Sequence, residues 1–194
     1  SSTTKDEYKS YFGNHDNIYT IYLGINDIYF KSQNNINKSS NLTLISIGRD
    51  EYRKNLGFMI NILRKLKERN LDFQLIRIGD FSTKHNKMIE KYNLTSNVDI
   101  MTNVSEKHLL KIYSKAHFLL MPSLYEGFGL PVLEAMSRKC IPLVSNKGAL
   151  LEITNNPKLI LKLDLDSWIN KISEIWNNKD KLLKIQKFCI EHSS

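Results

Sequence analysis

From residue 42 onward, short apolar runs alternate with longer segments of helical spacing, and this alternation restricts the fold more than any other feature. "LTLISIG" (42–48) and "FQLIRIG" (73–79) are rich in β-branched residues and end on glycine, as strands entering a turn do. Between them, Met59, Ile62, Leu63 and Leu66 fall at i, i+3, i+4 and i+7 within 57–69, one face of a helix. The pattern continues with a helix over 87–94, a strand over 98–101 ("VDIM"), a helix over 105–116 and a buried strand over 117–122 ("HFLLMP"). A glycine-bearing turn then opens another helix, and strands follow over 140–144 and 159–163. Two last helices carry Trp168, Ile172, Ile175 and Trp176, then Leu182, Leu183, Ile185 and Phe188. Strands joined by helix-length connections pair in parallel, and right-handed crossovers cover both faces of the sheet. The expected class is α/β, a Rossmann-like doubly wound parallel sheet.

The first 41 residues fit this unit poorly. "IYTIYL" (18–23) reads as a short strand, "GIND" as a turn, and "KSQNNINKSSN" (31–41) as a polar linker without periodicity. The division expected is a remnant of a preceding unit over 1–41 and one Rossmann-like domain over 42–194. With 41% apolar residues the chain can build a core without disulfides. Cys140 and Cys189 have no paired spacing, so they read as reduced thiols in a cytosolic protein rather than zinc ligands. The net charge of +8 comes from scattered lysines with no interleaved aromatics, which argues against nucleic acid. It leaves room for a phosphorylated ligand and for loose peripheral contact with an anionic membrane face. The abundance of Asn, Ile and Lys also matches AT-rich coding, which raises the charge without a functional reason. No apolar run nears the ~20 residues of a membrane span. The expected location is cytoplasmic.

Ligands of a doubly wound sheet bind beyond the carboxyl ends of its strands. Three segments place polar groups there: "GRDEYRKN" with Arg49, Arg53 and Lys54, then Gly79-Asp80, then "PSLYEGFGLPVLE". In the third, Pro131 suits the first helical turn, where amides lack partners and a preset φ helps. Gly127 and Gly129 before it permit positive φ and close backbone approach. The amides of Phe128, Gly129 and Leu130 are then free to point at an anion from the positive end of the helix. Glu134, one turn into that helix, and Glu126, before the turn, are placed to accept from hydroxyls on either side. Arg49 and Lys54 add positive charge suited to a diphosphate. Each of these has a bland explanation alone, as a structural turn or a surface charge. Their joint placement has the order of groups in a nucleotide-sugar: ribose, diphosphate, hexose. Asp164-Leu165-Asp166 has the look of a metal pair, but Asp166 reads as the cap of "SWINKI". The five histidines lack metal spacing, so neither a metal nor a cofactor is expected.

"MPSLYEGFGLPVLEAM" resembles the signature of the family 4 retaining glycosyltransferases, which have the two-domain GT-B architecture. Glu126 and Glu134 meet that family's E-x7-E motif. "ISIGRDEYRKN" is similar to its phosphate-binding segment, with Gly48 in the turn and Arg49 and Lys54 five apart. "SEKHLLKIYSKAHFLLMPS" and "SNKGALLEI" look like the flanking segments, and "NIYTIYLGINDIYF" resembles the interdomain crossing segment. The resemblance covers about residues 17–190. It implies the C-terminal, donor-binding half of such an enzyme, without its acceptor-binding half. Arg49, Lys54 and Glu126 would be catalytic. Gly48, Gly127, Phe128, Gly129, Leu130 and Glu134 would hold the donor, Glu134 at the ribose. The activity implied is transfer of a hexose from UDP- or GDP-sugar, with retention and without a metal. The acceptor would be a glycan or lipid-linked molecule of bacterial surface polysaccharide synthesis. A non-catalytic nucleotide-sugar module and an epimerase of the same architecture stay open. Three departures from the family pattern stand out: Lys139 where glycine is usual, "MTNVS" without its glycine near the expected base, and the shortened loop "TNNPKL".

Overall fold

Six strands form one parallel sheet in the computed structural model, which describes residues 1–15, 17–30 and 38–193. They are β1 (Leu42–Ile47), β2 (Phe73–Ile78), β3 (Val98–Met101), β4 (Phe118–Met121), β5 (Ile141–Ser145) and β6 (Ile160–Leu161). The spatial order is β3-β2-β1-β4-β5-β6, so the chain moves outward from β1, returns, and continues from β4 in the other direction. Register is parallel throughout, with Leu44 opposite Leu75 on one side and Phe118 on the other. The reversal between β1 and β4 opens a crevice at their carboxyl ends, which is where such sheets bind ligands.

Around the sheet lie α2 (Leu56–Glu68), α3 (Thr83–Lys91), α4 (Glu106–Lys115), α5 (Leu130–Ser137), α6 (Leu150–Thr154), α7 (Leu165–Trp176) and α8 (Lys179–Glu191). The stripe foreseen on α2 is the buried one: Met59, Ile62, Leu63 and Leu66 are all inaccessible. Trp168 of α7 is buried beside Phe58 of α2, edge to face at 5.9 Å between ring centroids.

Several boundaries differ from those expected, each for a local reason. Residues 18–23 form no strand, and Tyr19 and Ile21 are exposed. An unforeseen helix precedes them, α1 (Ser2–Phe12). It buries no residue and is anchored at its start, where Glu152 of α6 accepts from the Ser2 amide at 2.9 Å. The helix expected over 87–94 runs earlier because Ser82 holds an extended, cap-like conformation and Asn93 turns left-handed at φ 53°. The amides of Asn93 and Leu94 then close back on Glu90 and Ile89 and end it. Helix α7 is capped by Asp164, which accepts from the Ser167 amide at 2.9 Å, so Asp166 is a first-turn residue and not the cap. Of the polar stretch 31–41, residues 31–37 lie outside the described residues. Lys38 at its end donates to the carbonyls of Tyr113, Ala116 and Arg138.

Helix α5 begins at Gly129 (φ 96°), with Pro131 in its first turn, as its sequence dictates. It ends in a left-handed turn at Lys139 (φ 58°), where the Lys139 amide donates to Met136 and the Cys140 amide to Ala135. A lysine there carries the steric cost that glycine avoids. Lys139→Gly should therefore raise unfolding stability by about 0.5–1 kcal/mol in urea denaturation, the relief of strain exceeding glycine's extra entropy.

Candidate functional site

Two turns face each other across the β1–β4 crevice. The first leaves β1 through Gly48 (φ 124°), makes a 3-10 turn over Tyr52–Lys54, and enters α2 at Asn55 (φ 52°). The second leaves β4 through Pro122 and Ser123 and enters α5 at Gly129. They are stitched together by backbone and side chain. The Leu124 amide donates to Arg53 O at 2.7 Å, and Asn55 Nδ2 donates to Pro122 O at 3.1 Å.

Between these stitches sits the Glu126 carboxylate, only 6% exposed. Lys54 Nζ lies 2.6 Å from its Oε1 and Arg53 Nη1 3.0 Å from its Oε2. Ser123 Oγ also donates to Oε1, at 2.9 Å. Its backbone is held as firmly. The Ala149 amide donates to Glu126 O at 3.1 Å, and a Cβ on Gly148 (φ 56°) would come within 2.6 Å of that oxygen. A buried carboxylate needs such partners, and removing one leaves an uncompensated charge.

Beside this knot lies a cavity of about 360 Å³ above the carboxyl ends of β1, β2 and β3, lined by Gly48, Arg49, Gly79, Asp80, Thr102 and Asn103 among others. Gly79 (φ 114°) is needed because a Cβ there would sit 2.3 Å from Gly48 O. Arg49 is in no ion pair among the described residues, so its charge is available to the cavity. Asp50 at the rim is engaged: His85 Nδ1 lies 2.7 Å and the Ser82 amide 2.6 Å from its Oδ2. Burial alone would raise the Asp50 carboxyl, but these hydrogen bonds outweigh it and leave it below its ordinary value.

On the far side of the knot, the amides of Phe128, Gly129 and Leu130 donate to no acceptor among the described residues. Ser1 and Thr4 of the α1 end donate their hydroxyls to Gly127 O, each at 3.1 Å. Glu134 faces α4, where Tyr113 Oη donates to its Oε2 at 3.0 Å. Burial pushes the Glu134 carboxyl up from its ordinary 4.5; the Tyr113 hydroxyl opposes this and the charge of Glu106 adds to it. Tyr113 and Tyr29 are pushed up in turn, first by burial and then by the Glu134 charge.

The structure thus brings Lys54 and Glu126 into direct contact, with Arg49 standing apart over the cavity. Glu126 and Glu134 face different neighbours, Lys54 and Tyr113 respectively. Gly129 has the positive φ foreseen for it and Gly127 does not. The sequence reading passed over Arg53 as a ligand of Glu126, Tyr113 behind Glu134, and Gly148 under Glu126. Only Gly148 carried a signal, as a glycine within "SNKGALLEI". Among the described residues no group of three or more His, Cys, Asp or Glu side chains is placed to hold a metal ion.

A crevice at the β1–β4 reversal, flanked by the glycine-bearing start of α5, can be compared with known families. The profile of the glycosyl transferases group 1 matches residues 27–191. The chain belongs to that family. This glycosyltransferase chain is 27% identical to the O-antigen chain mannosyltransferase RfbU of Salmonella typhimurium, over 99% of this chain and 54% of that protein. An uncharacterized glycosyltransferase of Methanocaldococcus jannaschii is 29% identical over 79% of this chain and 43% of its own length. The chain spans about half the length of these relatives. Among solved structures, the fold is shared with Anabaena HepE in complex with UDP and glucose, at a TM-score of 0.85 and 14% identity, over all of this chain and 56% of that one. The parallel α/β fold of the described residues is thus one that solved glycosyltransferases share, and no helix among these residues is long and apolar enough to cross a membrane.

Two outcomes follow from the site's geometry. Gly148→Ala should destabilise the glycosyltransferase chain by about 2–4 kcal/mol in chemical denaturation, from left-handed strain and the clash with Glu126 O. Glu134→Gln tests the raised carboxyl. A raised folded value means wild-type stability is whole below the ordinary carboxylate value and is lost as pH rises through the folded one. The thermal midpoint of Glu134→Gln should therefore match wild type near pH 4 and exceed it increasingly toward neutral pH, as read by melting curves across pH.

Proposed function

We propose that the chain is the donor-binding half of a retaining glycosyltransferase that transfers a hexose from a nucleoside-diphosphate sugar, UDP- or GDP-linked. The observation that carries this reading is that two anion-binding elements lie on turns joined through Glu126: the amides of Phe128 to Leu130 at the start of α5, without acceptors among the described residues, and Arg49 over the β1 cavity. A diphosphate bridging them has Lys54 at its middle. The Lys54 ammonium has three donors and gives one to Glu126, so it can bind phosphate without releasing that carboxylate.

The role of each group follows from its surroundings. Glu134 accepts from ribose hydroxyls, and such hydrogen bonds favour its charged form against the burial that raises it. Glu126, locked by Lys54, Arg53 and Ser123, faces the donor sugar as a fixed acceptor. Gly48 and Gly127 keep side chains out of the donor's path. As the sugar–phosphate bond breaks, negative charge grows on the departing diphosphate. Arg49, Lys54 and the α5 amides are preorganised to stabilise it. The phosphate then assists the acceptor hydroxyl on the face it has left, which retains the configuration. No metal or cofactor has a part in this scheme. The acceptor, a glycan or lipid-linked molecule of bacterial surface polysaccharide, is held by another half of the protein at the cytoplasmic membrane face. RfbU, by its name, acts on O-antigen, and HepE was solved with UDP and glucose; both support the reading.

Titration calorimetry of the chain with UDP and GDP tests this. Wild type should bind one of them, and Glu134→Ala should weaken it roughly tenfold, the loss of about one charge-assisted hydrogen bond. Arg49→Ala should weaken the diphosphate more than the matching nucleoside. Equal heats for wild type and Glu134→Ala would remove the ribose assignment.

A further inference from the structure

Strand β2 alternates buried and half-buried positions, and Arg77 occupies a buried one in line with Phe73 and Leu75. Its side chain is 0% exposed, yet it takes part in no ion pair among the described residues. The guanidinium donates to neutral oxygens instead: Nη2 to Gly48 O at 2.5 Å and Asp80 O at 3.3 Å, Nη1 to Ile78 O at 3.3 Å and Ser46 Oγ at 3.4 Å. Nε has no acceptor among the described residues. The charges of Asp50 and Asp80 both act on the guanidinium, but neither carboxylate is paired with it, and that of Asp50 is bonded to His85 and Ser82. The Phe81 ring closes one side, its centroid 5.3 Å from the guanidinium carbon.

Gly48, Ile78 and Asp80, three of the four acceptors, belong to the turns that floor the cavity above β1 and β2. A Cβ on Gly79, which lines the same cavity, would meet Arg77 Nη2 at 3.4 Å. The guanidinium thus lies behind the Gly48 and Gly79 turns that line the cavity. Burial pushes the guanidinium down to about 10, which still leaves it protonated at neutral pH. Burying a cation with no carboxylate in direct contact costs stability, and an apolar side chain at this register would pack with Phe73 and Leu75 at no such cost. What sets this position apart from the rest of the core is the cavity directly above it.

We infer that Arg77 is a positioning and specificity residue of the donor site: a buried positive floor whose counter-ion is the diphosphate of the bound nucleotide. The inference rests on the donor-site reading proposed above. The same guanidinium ties the Gly48 turn to the Asp80 turn, so it sets the shape of the phosphate floor as well as its charge. Because it lies beneath the phosphates, it discriminates diphosphates from nucleosides rather than one base from another.

The test is calorimetry of the 194-residue chain with UDP, GDP, uridine and guanosine, on wild type, Arg77→Met and Arg77→Lys. Arg77→Met should keep or raise the melting temperature while weakening the preferred diphosphate roughly tenfold and its nucleoside by less than about twofold. Arg77→Lys, which keeps the charge, should recover most of the diphosphate affinity. If Arg77→Met does not fold, Arg77→Gln takes its place, since its amide can still donate to Gly48 O without the charge. Wild type alone supplies a second readout: the Arg77 Nε–H resonance in ¹⁵N-labelled protein should shift on adding inorganic pyrophosphate. An unchanged diphosphate-to-nucleoside ratio in the neutral variant, or an unmoved Nε–H resonance, overturns the role of Arg77 alone. Wild type that binds neither UDP nor GDP overturns the donor-site reading and this inference with it.

Discussion

The buried carboxylate of Glu126 is the constraint on which the crevice depends. An anion placed that deep between two turns must find cations and hydroxyls, and it finds Lys54 and Arg53 from one turn and Ser123 from its own. Satisfying it draws the β1–α2 turn against the β4–α5 turn and fixes where Gly129 starts its helix. The backbone contributes as much as the charge, through the Ala149 amide on Glu126 O and the close approach that only Gly148 allows. The amides at the start of α5, without acceptors among the described residues, and Arg49 over β1 belong to the two turns that this knot joins.

Charge is handled differently at the two ends of the sheet. At the amino end, Lys38 is sunk among three carbonyls, those of Tyr113 and Ala116 at the end of α4 and of Arg138 at the end of α5. Helix carboxyl ends favour a cation there, against the burial that pushes the Lys38 ammonium down to about 8. At the carboxyl end, among the described residues, Arg77 and Arg49 form no ion pair, the amides of Phe128 to Leu130 have no acceptor, and Glu134 is held in surroundings that disfavour its charge. Unmet electrostatic demand collected in one place marks a binding site, because a ligand can supply what the fold withholds.

Much of this was legible in the sequence, and what was hidden has a physical pattern. The strand–helix alternation and the α2 stripe are properties of single segments, so β1, β2 and α2 could be read directly from them. The anion-binding helix start was legible too, since Pro131 and Gly129 act on their own local backbone. Contacts between segments were not legible. Nothing in "GRDEYRKN" says that Arg53 and Lys54 will both turn to Glu126, because side chains this long can reach many partners. Arg77 was visible only as a charge at the wrong parity of "FQLIRI", in register with Phe73 and Leu75. The run 18–23 misled for the opposite reason: its residues favour a strand, but a strand needs a neighbour to bond with, and the run pairs with none of the six.

We propose that one crevice holds a diphosphate between the start of α5 and the β1 turn. A crystal structure of the chain soaked with the nucleoside diphosphate it prefers decides the matter. Phosphate oxygens are expected within hydrogen-bond distance of the Gly129 or Leu130 amide on one side and of Arg49 on the other, with Lys54 still bonded to Glu126. Diphosphate density elsewhere on the chain, or over the crevice but out of reach of both Arg49 and those amides, would contradict it.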